Sequence, residues 1–292
     1  MNRALTTIAL VRKVAGAAFV IVNLSVMSTA LAQDRSWKEC ELAEHDPERS
    51  IGACSRLLSR PSTHVHAAAF HNRGLAWAAK ENLDQAVSDI SQGIRLDPQR
   101  AYRWQERGEI YTRQGKYPQA ITDITEAIRL DPTPRAFRFH SRAGAYRGLG
   151  DLTRAIADFD EAIRLDPVAR PFRFHDRGNA LSDAGQYDRA LVDYETAAKL
   201  APTDAWILLN RGRTYAKKGR SDAAKNDFDT AIALDPSNAE LRRYIAVELA
   251  ALHQPPVPPQ QPTPGKRPGP DGPVPGAVET PEACKKFPML CN

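Results

Sequence analysis

Five prolines, Pro98, Pro132, Pro167, Pro202 and Pro236, close five similar phrases: IRLDP three times, then KLAP and IALDP. They are 34, 35, 35 and 34 residues apart. That period is too long for a strand or a heptad, so each interval holds a whole supersecondary unit repeated in tandem. With the closing proline counted as position 32, position 8 carries Gly74, Gly108, Ala143, Gly178 and Gly212, and position 20 carries Ala86, Ala120, Ala155, Ala190 and Ala224. Small residues at both places mark a close contact between two helices. Bulkier side chains surround that contact: Trp77, Tyr111, Tyr146, Leu181 and Tyr215 at position 11, and Ile90, Ile124, Phe159, Tyr194 and Phe228 at position 24. Positions 4, 8 and 11, then 17, 20, 24, 27 and 28, have helical spacing on either side of position 15, where Gly115, Gly150, Gly185 and Gly219 stand. Each unit reads as a helix, a tight turn and an antiparallel helix.

On these residues, residues 67–236 resemble the tetratricopeptide repeat family, whose pattern is bulky 4, small 8, aromatic 11, alanine 20, aromatic 24, alanine 27 and proline 32. The departures are an arginine at position 7 in place of the usual leucine and Gly93 at position 27 of the first repeat. The resemblance implies an all-α, right-handed superhelical solenoid of five repeats, 67–98, 101–132, 136–167, 171–202 and 205–236. An array of this kind buries its core between neighbours and is not bound to split into globules.

Flanking segments complete the organisation. Arg3, Arg12 and Lys13 precede the apolar run Val14 to Val22, and Ala30-Leu31-Ala32 supplies a small-x-small cleavage pattern before Gln33. Residues 1–32 therefore read as a signal peptide and the mature chain as periplasmic or secreted. The alternative is a retained anchor, although Asn23, Ser25, Ser28 and Thr29 interrupt the apolar stretch. The formal charge of +5 falls to +2 once the three leader cations are removed, too little to make nucleic acid the expected partner. Residues 239–254 read as a capping helix started by Ser237-Asn238, residues 255–281 as a stiff proline-rich linker, and 282–292 as a cysteine-containing tail.

The four cysteines stand in two pairs outside the repeats, Cys40 with Cys54 and Cys284 with Cys291. Three pairings are possible, and export favours oxidation. Local bridges are expected, because Cys40 and Cys54 fall on two short helices, Ser36 to Ala43 and Pro47 to Leu58, that form a truncated hairpin (33–66) ahead of the array. Neither the cysteines nor the histidine groups, His64, His66 and His71 or His140 and His175, come with an obvious carboxylate or cysteine set for zinc, and no cofactor is expected.

Two ladders run through the repeats. Arg73, Arg107, Arg142, Arg177 and Arg211 each precede Asp89, Asp123, Asp158, Asp193 and Asp227 by 16 residues, which puts each pair at one level of a hairpin and predicts a structural ion pair in every repeat. The aspartates before proline, Asp97, Asp131, Asp166 and Asp235, read as turn formers. The second ladder carries Tyr102, Phe137, Phe172 and Trp206 at position 2, with His71, Gln105, His140 and His175 at position 5. The family resemblance places positions 2 and 5 in a concave peptide-binding groove, where rings supply contact area and imidazoles supply donors. Protonated, His140 and His175 would favour an acidic peptide. The aromatics have a second reading, packing on the preceding turns.

The sequence holds no phosphate-binding glycine loop, HExxH or GxSxG. The expected function is a non-catalytic adaptor that holds another envelope protein or a peptide segment of one. The alternative is a spacer or assembly factor that binds through its proline-rich tail or convex face.

Overall fold

The computed structural model describes residues 35–61, 65–166 and 168–252. The leader, the tail and the Cys284 and Cys291 positions lie outside them. The chain divides into two compact units, Met1–Leu249 and Ala250–Asn292, and only residues 250–252 of the second are described.

Thirteen helices and no strand occur among the described residues. A short helix α1 (35–40) is followed by α2 (Pro47–Leu58). Five hairpins come next: α3 (His66–Ala79) with α4 (Leu83–Leu96), α5 (Ala101–Arg113) with α6 (Tyr117–Leu130), α7 (Ala136–Leu149) with α8 (Leu152–Leu165), α9 (Pro171–Asp183) with α10 (Tyr187–Leu200), and α11 (Ala205–Lys217) with α12 (Ser221–Leu234). The last helix is α13 (Ala239–Leu252). Side-chain caps set several starts: Asp46, Asn82, Asp151 and Asn238 accept from the backbone N–H three residues on. Pro47, Pro118 and Pro171 occupy first-turn positions, where a missing N–H costs nothing.

Inside each hairpin the break at position 15 is left-handed. Gly115, Gly150, Gly185 and Gly219 have φ of 71, 86, 73 and 74°, and the first repeat forces the same conformation on Glu81, with φ 60°. A side chain in that region costs about 1 kcal/mol that glycine avoids. In all five turns the N–H of position 16 (Asn82, Lys116, Asp151, Gln186 and Arg220) donates to the carbonyl of position 11, so the turns close alike.

The two helices of a hairpin meet at positions 8 and 20. A Cβ added at Gly74 would lie 2.6 Å from Ile90 Cγ1 and 3.0 Å from the Ala86 carbonyl, and one at Gly212 would lie 2.6 Å from the Phe228 ring. Each second helix also packs on the first helix of the next repeat, and α5, α7, α9 and α11 touch in succession along one side of the array. The core is therefore a series of layers shared between neighbours. One layer holds Ala143, Tyr146, Phe159, Leu181, Tyr194 and Ile207, drawn from three repeats.

At the front of the array Cys40 is disulfide-bonded to Cys54, and both are buried with Ala53, Leu57 and Ala69. The bridge ties α1 to α2, which seals the first layer. At the back, α13 buries Leu241 and Ile245 and leaves Arg242, Arg243 and Val247 in solvent, the polar outer face that ends a solenoid.

Gly93, the departure at position 27, has a packing cause: a Cβ there would come within 2.8 Å of the Ala67 carbonyl oxygen. Two substitutions test these backbone readings by thermal melts. Glu81→Gly relieves the left-handed strain at the loss of an exposed ion pair with Arg113, and raises stability by about 0.5–1 kcal/mol. Gly93→Ala lowers the midpoint even though alanine is the better helix former by about 1 kcal/mol. An increase for Gly93→Ala would refute the close contact.

Candidate functional site

The helical hairpins present three polar ladders, each built by one position recurring down the array. In the first, every position-7 arginine makes a bidentate fork to its position-23 aspartate, with Nε to Oδ2 at 2.7, 2.6, 2.7, 2.7 and 2.8 Å from Arg73 to Arg211. The second arm, Nη2 to Oδ1, spans 2.6–2.9 Å. The third nitrogen, Nη1, reaches back into the preceding hairpin in four cases: Arg73 to Ser55, Arg107 to Ser91, Arg142 to Thr125 and Arg177 to Asp160. The guanidinium also stacks on the position-4 ring, as Arg107 does on Trp104 at 5.0 Å and Arg142 on Phe139 at 5.6 Å. Arginine replaces leucine at position 7 because one planar side chain joins two hairpins there. The aspartates are buried, and the arginines are accessible only at their margins.

The second ladder was not read from the sequence. The aspartate before each of the first three closing prolines accepts from a buried arginine at position 3 of the next repeat: Asp97 from Arg103 at 3.0 Å, Asp131 from Arg138 at 2.7 Å and Asp166 from Arg173 at 2.8 Å. Arg103 and Arg173 also donate to the carbonyls of Asp97 and Ala162. These aspartates do more than shape a turn; each is half of a joint between repeats. The hydrogen bonds from Arg100 and Arg103 hold Asp97 below the usual carboxylate range, and Arg138 and Arg170 do the same for Asp131 and Asp166. A signal existed in the chain itself. Where Ala201 replaces the aspartate, Ile207 replaces the arginine, so the pair is lost together.

The third ladder links position 5 to position 6 of the following repeat. His71 Nε2 lies 2.9 Å from Glu106, His140 Nε2 lies 3.1 Å from Asp176, and Asn210 Nδ2 donates to His175 Nε2 at 2.8 Å. At the one joint without histidine, Gln105 and Ser141 both donate to Glu109, at 2.7 and 3.0 Å. This corrects the expectation that position 5 offers donors to a peptide. His71 and Gln105 are 6% and 4% exposed, and His140 and His175 spend Nε2 on the next repeat. Carboxylates do stand beside the histidines, contrary to the sequence reading. Even so, no group of three metal-ligating side chains converges among the described residues. Burial pushes the His175 pKa down despite the nearby Asp176 carboxylate, which works against the charged form that an acidic peptide would need.

What remains open on this side is the position-2 row. Tyr102, Phe137, Phe172 and Trp206 are 42, 48, 46 and 37% exposed. One edge of the ring meets the preceding repeat's histidine, Tyr102 with His71 at 4.9 Å and Phe172 with His140 at 5.1 Å between centroids. Arg103, Arg138 and Arg173 lie against the rings of the residues just before them. Trp206 meets Tyr244 of α13 at 5.9 Å. The aromatics are thus supported from beneath and about half bare above. Beside them on the first helices lie a cavity of about 330 Å³, lined by Thr112, Arg113, His140, Gly144, Arg147 and Phe159, and a polar recess of about 190 Å³ reaching to Arg213 and Lys217. A more open recess of about 610 Å³ lies at the turn edge, around Lys80–Asp84 and Lys116, and has a mostly polar wall.

Two predictions follow from the joints. Asp166→Ala strands Arg173 and lowers stability by about 3 kcal/mol, while Asp166→Ala with Arg173→Ile copies the natural Ala201/Ile207 joint and regains most of that loss in denaturant melts. The His175 effect has a definite sign. Its folded pKa is below the usual 6.5, so the stability it contributes is whole above that value and is lost as the pH falls below it. Urea midpoints at pH 7 and pH 5 therefore differ less for His175→Gln than for the natural chain.

Comparison with known proteins agrees with the geometry. Residues 178–219 match the TPR repeat, and residues 106–170 and 205–238 match the tetratricopeptide repeat. A tetratricopeptide repeat protein from Parabacteroides merdae superposes with a TM-score of 0.66 at 16% identity, over 77% of this chain and 88% of that one. YrrB, described as a TPR protein with an unusual peptide-binding site, gives 0.54 at 20% identity over 69% of this chain and all of its own. Among curated proteins, the human FK506-binding protein-like protein is 32% identical over 71 residues, 24% of this chain; the chain spans 20% of that relative's length. The three matched segments, the recurring hairpin and the left-handed turn at every position 15 identify the array as tetratricopeptide repeats.

Proposed function

We propose that this chain is a non-catalytic adaptor that holds a segment of another protein along the face formed by α5, α7, α9 and α11. The observation that carries this reading is the row Tyr102, Phe137, Phe172 and Trp206. Four large rings recur at one position of the first helix in four successive repeats and stay roughly half bare. Rigid aromatics lose little entropy on binding and dominate the energetics of protein contacts. The first helices touch one another along the array, which supports a concave, inner position for this row. Most of the surrounding polar groups are tied to the neighbouring repeat, which supports a face preorganised for contact.

The setting proposed is outside the cytoplasm, with an envelope protein as the partner. The leader pattern and the Cys40–Cys54 bridge support it, since such bridges persist in oxidising compartments.

Affinity capture from an envelope extract tests the reading, using residues 33–292 beside the same chain with Phe137→Ala and Phe172→Ala. The histidines are left intact because they hold the joints. Each phenylalanine is about half exposed, so truncation costs about 1 kcal/mol and the variant remains folded by circular dichroism. The expected result is a partner retained by the natural chain and lost from the variant. Equal capture, combined with loss on deleting residues 255–292, would move binding to the tail.

A further inference from the structure

Position 9 of the first helix is Leu75, Glu109, Gly144, Asn179 and Arg213 in successive repeats. The third repeat alone has no side chain there, and a mid-helix glycine costs about 1 kcal/mol against alanine. Neither backbone nor packing accounts for it. Gly144 has no positive φ, and a Cβ added to it would meet nothing within 4 Å. One turn later Gly148 differs, because its Cβ would lie 2.4 Å from the Tyr117 ring. Packing forces that glycine and leaves Gly144 as an opening.

The opening is the 330 Å³ cavity on the inner helix face. Phe159, only 2% exposed, forms its floor. The charged groups at its rim are already paired: Glu109 with Gln105 and Ser141, Asp176 with His140, Arg113 with Glu81, and Arg147 with Asp183. The uncommitted surface inside is apolar, apart from the buried, unpartnered Nδ1 of His140. Arg147 also borders the polar recess that runs on to Lys217. There Arg147 is matched by Asp183 and Arg213 by Glu248, while Lys217 has no carboxylate partner among the described residues.

We infer that the bound partner segment seats one bulky apolar side chain, of leucine to tryptophan size, in the cavity opened by Gly144, and sets an acidic side chain farther along against Lys217. This rests on the reading that the inner face receives a protein segment, and it names that segment's chemistry: an extended stretch with a large apolar anchor and a carboxylate. A buried anchor surrounded by paired charges is the usual source of affinity in such contacts, and the surplus cation sets direction and register.

The probe is a phage library of random 12-residue peptides, selected on residues 33–292, with the best peptide then made in fluorescent form for anisotropy titrations. Selected peptides should share a bulky apolar residue and an acidic one. Gly144→Trp fills the cavity and should weaken the peptide at least tenfold; Gly144→Leu does the same with less bulk if the tryptophan variant melts early. Gly144→Ala should bind normally and melt higher. Lys217→Glu should weaken the peptide, and changing the peptide's acidic residue to lysine should restore it. Unchanged affinity in both the Trp and Leu variants, with binding abolished by Phe137→Ala and Phe172→Ala, would overturn the cavity assignment and leave the groove reading standing. Enrichment of no peptide, or of peptides indifferent to all these variants, would remove both. Self-association of the natural chain that Gly144→Trp abolishes would make a second copy the occupant, which also overturns the inference.

Discussion

In the hairpins of Gly74, Gly108 and Gly212 the helices approach until a single methyl group has no room, and the array is built outward from that contact. At Gly74, Gly108 and Gly212 the position-24 side chain would lie within 2.7 Å of an added Cβ. The third repeat accommodates Ala143 against Phe159, and both are buried. Contact this close aligns position 7 of one helix with position 23 of the other, so the Arg–Asp fork can form without strain in all five repeats. The fork leaves Nη1 to spare, and in the first four repeats it reaches the previous hairpin. Register within a repeat and register between repeats are therefore set by the same guanidinium.

Between hairpins the joints are of two kinds. Three use a buried arginine against the aspartate of the closing phrase, and the fourth uses Ile207 with Ala201 and a hydroxyl pair, Ser182 with Thr214 at 2.9 Å. The buried guanidinium groups leave Arg103, Arg138 and Arg173 each with an unpaired Nε. A half-satisfied buried charge is a poor source of stability compared with apolar packing. It does penalise any slip of one hairpin against the next, because a slipped arginine would lose its only carboxylate. The fourth joint has no such penalty and relies on apolar fit.

Much of this was legible in the sequence, and the boundary of legibility is physical. Small-against-small contacts, the fork at a spacing of 16 residues and the left-handed turn each recur with the period, so tandem comparison shows them. Gly115 and its equivalents even identify the turn conformation that Glu81 adopts without the glycine. What the sequence did not show was contact across the period. The arginine at position 3 and the aspartate that meets it belong to different repeats, and a reading organised by one repeat assigns the acid to its own turn. The position-5 histidines misled for the same reason: their partners, Glu106, Asp176 and Asn210, sit in the repeat that follows. The exposed aromatics were found, but their support from beneath by those histidines was not.

That support changes what the face formed by α5, α7, α9 and α11 can recognise. With the histidines, Gln105 and most of the charges bound to one another, the face cannot select a partner by an array of free polar donors. Selection falls to the shape of the aromatic row, to gaps in it and to the few charges left over. Tyr102, Phe137 and Phe172 repeat almost identically, so they give contact area with little power to fix where along the array a segment lies. Position 9 breaks the repetition, running from leucine through glutamate, glycine and asparagine to arginine. A regular scaffold that must hold one segment in one register needs such an irregular position, and Gly144 is the largest irregularity in the series.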